Sequence, residues 1–134
     1  MPDRLRQALL DTSVVIDLDR ILADALPEQV AISAVTMAEL AAGPAAAKDP
    51  AERARRQDRL QRAEASFDPL PLDIEAARAY GRVYAAVVAH GRNPRRRLAD
   101  LLIAAVAVAN GLPLVTRNAA DFAGLSALLH LVEI

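Results

Sequence analysis

Four acidic residues stand in settings that can bring their carboxylates to one place: Asp11, Glu39, Asp100 and Asp121. Asp11 ends the apolar pair Leu9-Leu10 and is followed by Thr12-Ser13. Glu39 falls early in an expected helix, Asp100 opens the apolar run Leu101 to Ala109, and Asp121 closes a polar turn after Leu114-Val115-Thr116. Carboxylates gathered without a lysine beside them repel: a like-charged pair at 4 Å costs about 4 kcal/mol at an effective dielectric of 20. Either their pKa values rise or a divalent cation sits among them. Oxygen ligands completed by water suit Mg²⁺ or Mn²⁺ better than zinc. Such ions polarise a phosphoryl group and supply a hydroxide-like nucleophile, so the chemistry indicated is metal-assisted phosphoryl transfer.

Each acid also has an ordinary local reading. Asp11 fits an Asx-turn or a helix cap. Glu39, three residues after Thr36, fits a capping box with Thr36 as the cap. Asp100 fits a first-turn acid, stabilised by the helix dipole. What favours the shared site is the set of elements that must carry the acids.

Leu9-Leu10 reads as a short buried strand, with Ser13 as N-cap of a helical segment from Val14 to Leu22. Val30 to Ser33 reads as a second strand, followed by a helix that Gly43-Pro44 kinks or ends. Residues 48–66 form a charged helix with Pro50 in its first turn, and 67–72, with two prolines, can be only a short or edge strand. Asp73 caps a helix reaching His90, Gly91 to Arg97 is a loop, and Leu128 to Ile134 is a closing strand. Strands separated by helices indicate an α/β fold, a parallel sheet with helices on both faces. In such a sheet the end of the strand at Leu114-Val115 lies beside the start of the preceding helix. Asp100 and the Thr116–Asp121 turn then share the carboxyl edge where Asp11 sits, and Glu39 joins them by the same logic.

Composition narrows the rest. At 134 residues the chain is expected to be one domain, 1–134, with a core of Ala, Leu, Val and Ile, because aromatics make up only 3%. No cysteine and only two histidines, His90 and His130, exclude thiolate chemistry and Cys- or His-rich metal sites. The first ten residues lack a signal-peptide pattern, and the longest apolar run, nine residues, is far short of a membrane span. The expected location is cytoplasmic. The net charge of −1 gives no overall attraction to nucleic acid, but 15 of the 16 cationic residues are Arg, with Lys48 the one lysine. Arginine pairs with phosphate in bidentate fashion, although a GC-rich coding bias explains the choice equally well. Arg95, Arg96, Arg97 and Arg117 flank the acidic edge and are the expected phosphate contacts; the ordinary alternative pairs them with neighbouring acids.

The pieces LLDTSVVIDL at 9–18, TMAELAAG at 36–43, RRLADLLIAAVAVANGLPLVTRNAADF at 96–122 and the terminal LVEI resemble, in order and spacing, the PIN-domain ribonucleases, in particular VapC-type toxins. The resemblance implies a three-layer α/β/α domain and hydrolysis of RNA phosphodiesters by a metal-activated water. It makes Asp11, Glu39 and Asp100 the acidic triad and Asp121 the fourth acid, with Asn118 the lesser candidate for that position. Asp11 and Asp100 become the principal Mg²⁺ ligands, with Mn²⁺ as substitute, and Glu39 and Asp121 support them. Thr12, Ser13 and Thr116 have hydroxyls suited to holding phosphate, water or a carboxylate. The resemblance also implies a homodimer and a small VapB-type antitoxin as partner. The alternative is an inactive PIN scaffold that binds a protein or RNA without cutting it. A haloacid-dehalogenase-type phosphatase is disfavoured because Ser13 stands where a second Asp is needed. A receiver domain needs a lysine near the site, and Lys48 is poorly placed.

Overall fold

The computed structural model describes residues 4–134, so the first three residues of the expected 1–134 span lie outside it. Four short strands form one sheet: β1 (Gln7–Leu10), β2 (Gln29–Ala31), β3 (Leu114–Thr116) and β4 (Leu131–Glu133), in the order β2-β1-β3-β4. Every pairing is parallel, with Leu9 opposite Ala31 on one side and Leu114 on the other. Parallel strands need crossovers, and five helices supply those from β1 to β2 and from β2 to β3: α1 (Thr12–Ile16), α2 (Ala34–Ala46), α3 (Pro50–Ser66), α4 (Ile74–Ala89) and α5 (Leu98–Ala109). The β3 to β4 crossover has only the 3₁₀ turn Ala119–Phe122.

Alternation along the strands divides the core in two. Leu9 and Leu114 face a cluster containing Ala79, Val83 and Val87 of α4 and Leu101, Ile103 and Ala105 of α5. Ala8, Leu10 and Val115 face the opposite cluster, with Val14, Ile32, Leu40 and Ala63. Helix α4 packs on α5 over one face, and α3 packs on α2 over the other. The result is the three-layer α/β/α arrangement, with β1 and β3 at its centre. No helix among the described residues is long and apolar enough to cross a membrane.

Several local expectations shift. Ser13 does not cap the first helix; Asp11 does, accepting from the Val14 amide, because its extended backbone (φ −80°, ψ 174°) precedes the helix. That helix ends at Ile16, and the chain to Arg20 continues as a 3₁₀ turn. Ser33, not Thr36, caps α2, so Thr36 and Glu39 lie inside the helix and form no capping box. The helix starts three residues early because β2 stops at Ala31 and Ser33 already has the extended backbone of a cap. Pro44 does not end α2, which runs on to Ala46. Residues 67–72 contribute one bridge, Leu70 to Ser33, rather than a strand. Pro94–Arg97 is a 3₁₀ turn rather than open loop, and α5 begins at Leu98, placing Asp100 in its first turn.

Three glycines, Gly91, Gly111 and Gly124, have a positive φ. Gly111 (φ +63°) reverses the chain between α5 and β3, and Gly124 (φ +92°) sits under His90 after the Ala119–Phe122 turn. A Cβ at Gly124 would come within 2.8 Å of the His90 Cβ. Gly124→Ala combines a left-handed backbone with overpacking, and is expected to destabilise the protein by about 2 kcal/mol. Urea unfolding monitored by circular dichroism measures this directly; an unchanged midpoint would refute it.

Candidate active site

The carboxyl ends of β1 and β3 are adjacent in register, so Asp11, just after β1, and Thr116, the last residue of β3, meet at the sheet's edge. Asp11 is almost fully buried, at 3% exposure. Its Oδ1 accepts from the Ser13 hydroxyl at 2.6 Å and from the Val14 amide at 3.1 Å, and its Oδ2 accepts from the Thr116 hydroxyl at 2.5 Å. Both hydroxyls are engaged a second time. Ser13 Oγ accepts from the Arg117 amide and Thr116 Oγ1 from the Asn118 amide. Asp11 is thus a cap and a site residue at once, and its carboxylate is held by groups from two ends of the chain.

A second hydroxyl pair orients Glu39. Thr12 Oγ1 lies 2.6 Å from Glu39 Oε1 and 3.0 Å from Thr36 Oγ1. A carboxylate only accepts and a hydroxyl has one proton, so Thr12 donates to Glu39 and accepts from Thr36. Thr36 is completely buried, one turn before Glu39 on α2, and reading it as a cap concealed this role. Its sequence signal is the spacing itself: T-x-x-E places both residues on one helix face.

Asp100 responds to all the others. Burial, and then the Asp121, Glu39 and Asp11 carboxylates in decreasing order, push its carboxyl from the ordinary 3.8 up to about 6, against a smaller downward pull from Arg97. The four acids therefore share one electrostatic neighbourhood. Asp121, in the turn after β3, is paired with Arg97 at 3.2 Å. As the side chains stand, no three acidic or histidine residues among those described converge into a metal-binding cluster. Each of three acids has its own partners: two hydroxyls and an amide at Asp11, Thr12 at Glu39, and Arg97 at Asp121. The donor set nevertheless fits a hard divalent cation, being oxygen throughout and strained in its ionised form at Asp100.

The arginines divide. Arg97 faces Asp121, and Arg117 faces Asp17 at 3.6 Å, so each has an acidic neighbour. Arg95 and Arg96 are exposed with no acidic partner among the described residues. Arg96 and Arg97 line one cleft with Arg92, whose Nη1 donates to the Ala120 carbonyl at 2.6 Å. Arg92 escaped the sequence reading because it lies outside the Arg95–Arg97 run. The Asn118 side chain is exposed, and its backbone amide is what reaches the site.

These features have counterparts in known proteins. The PIN domain pattern matches residues 8–127, an interval that contains all four acids. Ribonuclease VapC5 of Mycobacterium tuberculosis is 42% identical over 120 residues, covering 87% of this chain and 86% of the relative. Ribonuclease VapC8 of the same species is 41% identical over 101 residues, covering 74% and 88%. Among solved structures, VapBC-5 from Mycobacterium tuberculosis, a member of the VapBC family of toxin–antitoxin systems, superposes with a TM-score of 0.83 at 36% identity, covering 96% of this chain and 99% of that one. An all-parallel sheet in this order, acids at its carboxyl edge and a sequence pattern spanning them lead to one assignment: the chain belongs to the PIN-domain family.

Proposed function

We propose that this protein is a Mg²⁺-dependent endoribonuclease, the toxin of a VapBC-type toxin–antitoxin pair acting in the cytoplasm. The observation that carries the reading is the acidic edge. Asp11 at the end of β1 is hydrogen-bonded to Thr116 of β3, and Asp11, Glu39 and Asp121 lie close enough to Asp100 to push its carboxyl up, together with burial. A fold gains nothing in stability by gathering these charges; a site that receives a cation does. Similarity to ribonucleases VapC5 and VapC8 supports RNA as the substrate class. The likeness to VapBC-5 supports a VapB-type antitoxin and a hetero-oligomer as the resting form.

Asp11 and Asp100 would hold the cation, with Glu39 and Asp121 in support, and the bound ion would polarise the phosphoryl oxygen and supply the attacking water. The chain's own groups prepare that arrangement. Ser13 and Thr116 fix both oxygens of Asp11, so its carboxylate is oriented before anything binds. Thr12 does the same for one oxygen of Glu39. Arg97 can leave Asp121 for a substrate phosphate when the acid is needed elsewhere. In the reaction, water adds to phosphorus and gives up a proton to solvent, the P–O bond to the leaving ribose oxygen breaks, and that oxygen takes a proton to become a hydroxyl.

Purified protein is expected to cleave cellular RNA with Mg²⁺, to stop when EDTA is added, and to resume with Mg²⁺ or Mn²⁺ in excess. Sequencing the new RNA ends names the substrate. Cleavage undiminished by EDTA would remove the metal from the reading, whereas RNA binding without any cleavage would favour the inactive scaffold.

A further inference from the structure

The acidic edge stands between two arginine-bearing clefts, one in each helical layer; the first is basic, and the second sets Glu39 and Glu52 against Arg56 and Arg59. The first, about 490 Å³, is lined by Gly91, Arg92, Asn93, Arg96 and Arg97 where α4 passes to α5. It adjoins the acids through the Arg97–Asp121 pair. The second, about 390 Å³, lies on the other layer between α1, α2 and α3. It contains Thr12 and Glu39 on the acidic side and Arg56 and Arg59 on the α3 side.

Helix α3 carries five arginines, and their contacts separate them. Arg55 and Arg56 both pair with Glu52, and Arg56 also donates to the Gly43 carbonyl at 3.0 Å, tying α3 to α2. Arg62 pairs with Asp58 at 2.9 Å. Arg53 is exposed and lines neither of the clefts on this layer. Arg59 alone is half-buried, faces the cleft and has no carboxylate within ion-pair distance among the described residues. The acid that shares its cleft wall most closely with the active edge, Glu39, is engaged by Thr12 instead. Arg59 also borders the neighbouring pocket of Val15, Ile16 and Phe67, whose lining includes Asp19, but neither Asp19 nor any other carboxylate among the described residues lies within ion-pair distance of it. A guanidinium held this way matches a bidentate phosphate oxygen pair.

We propose that Arg59 is a substrate-positioning residue. It takes a backbone phosphate of a single RNA strand that crosses the acidic edge from the Arg92/Arg96/Arg97 cleft to the α3 cleft. This rests on the nuclease reading above. The scissile phosphate sits over Asp11 and Asp100, and Arg59 grips the strand on the flank opposite Arg97. Phosphate contacts set the register of the strand without reading its bases.

The test is binding of a fluorescent single-stranded RNA of mixed sequence, by anisotropy in EDTA over a series of salt concentrations, together with Mg²⁺-dependent cleavage of the same RNA. Arg59→Ala is expected to weaken binding about tenfold, as for loss of one charge-assisted contact. The slope of log affinity against log salt should flatten by about 0.7, the single-strand value for one phosphate. KM should rise with kcat little changed. Arg59→Lys should keep the salt slope while recovering only part of the affinity, and Arg62→Ala should behave as wild type. An Arg59→Ala protein with wild-type affinity, slope and KM overturns the assignment while leaving the nuclease reading intact. Wild-type protein that neither binds nor cleaves RNA overturns the nuclease reading itself, and the strand path with it. If Arg59→Ala loses only its hold on a co-expressed antitoxin, the cleft receives protein rather than RNA, and the proposal falls.

Discussion

Replacing Asp11 with Asn is expected to reduce RNA cleavage on the order of 10³-fold, the consequence of losing several kcal/mol of charge stabilisation at the reacting phosphate. The substitution is chosen because Asp11 has a second task. Its Oδ1 caps α1 through the Val14 amide, and its two oxygens satisfy the Ser13 and Thr116 hydroxyls. Asp11→Ala would remove the cap, at about 1 kcal/mol, and would strip a buried hydroxyl of its acceptor. A loss of activity in Asp11→Ala therefore mixes two causes. Asn retains one carbonyl oxygen for the Val14 amide and the Ser13 hydroxyl, and the shape of the side chain, while removing the charge. Its amide NH2 takes the place of Oδ2 and donates to Thr116 Oγ1, so only the Thr116 proton must find a new acceptor. The measurement is single-turnover cleavage alongside thermal unfolding of the same preparation. Folded Asp11→Asn protein that cleaves within a few-fold of wild type would take Asp11 out of the catalytic set.

Asp100→Asn should abolish cleavage to a similar degree and, in metal-free protein, raise the melting temperature. The sign follows from linkage. The carboxyl of Asp100 has a pKa of about 6 in the folded chain and an ordinary value of 3.8 when exposed. Its contribution to stability is fully present below pH 3.8 and is lost as pH rises through about 6. At pH 8 wild-type protein in EDTA holds an ionised Asp100 that its surroundings disfavour, and the Asn variant does not. The difference between the two should be a few degrees at pH 8 and should shrink as the pH is lowered below 6. Adding Mg²⁺ should raise the wild-type melting temperature and leave the variant nearly unchanged, because a ligand stabilises only the form that binds it. Equal melting temperatures at pH 8, or equal responses to Mg²⁺, would contradict this account. A site residue whose removal strengthens the fold is the signature of charges gathered for chemistry.

The large features of this protein are legible in its residues because they depend on periodicity and direction. Leu9-Leu10 and Leu114-Val115 are apolar strands that stop at polar corners. Once the crossovers between them are helical, parallel pairing follows, and Asp11, Asp100 and the turn after Thr116 must share an edge. Local capping was less legible, since Ser33 and Thr36 are equally competent caps. The choice between them depends on where β2 releases the chain, which is decided by sheet pairing rather than by either residue. Side-chain direction at the site was not legible at all. That Thr36 supports Thr12, and Thr12 supports Glu39, requires knowing how α1 and α2 approach each other. The same holds for α3, where the charge pattern offers Arg59 several partners, and only the placement of Glu52 and Asp58 beside other arginines leaves it without one.

The hydrogen bond from Thr116 to Asp11 spans 105 residues. A chain emerging from the ribosome acquires Asp11, Thr12 and Glu39 early, and can assemble β1, β2 and the helices between them. It has no Asp100 until most of its length has been made, and no hydroxyl for Asp11 Oδ2 until β3 inserts beside β1. The central slot of the sheet is thus filled late, and filling it completes the acidic edge. Under the proposed function, an incomplete chain lacks the assembled acidic edge, and nuclease activity would arrive only together with the native fold.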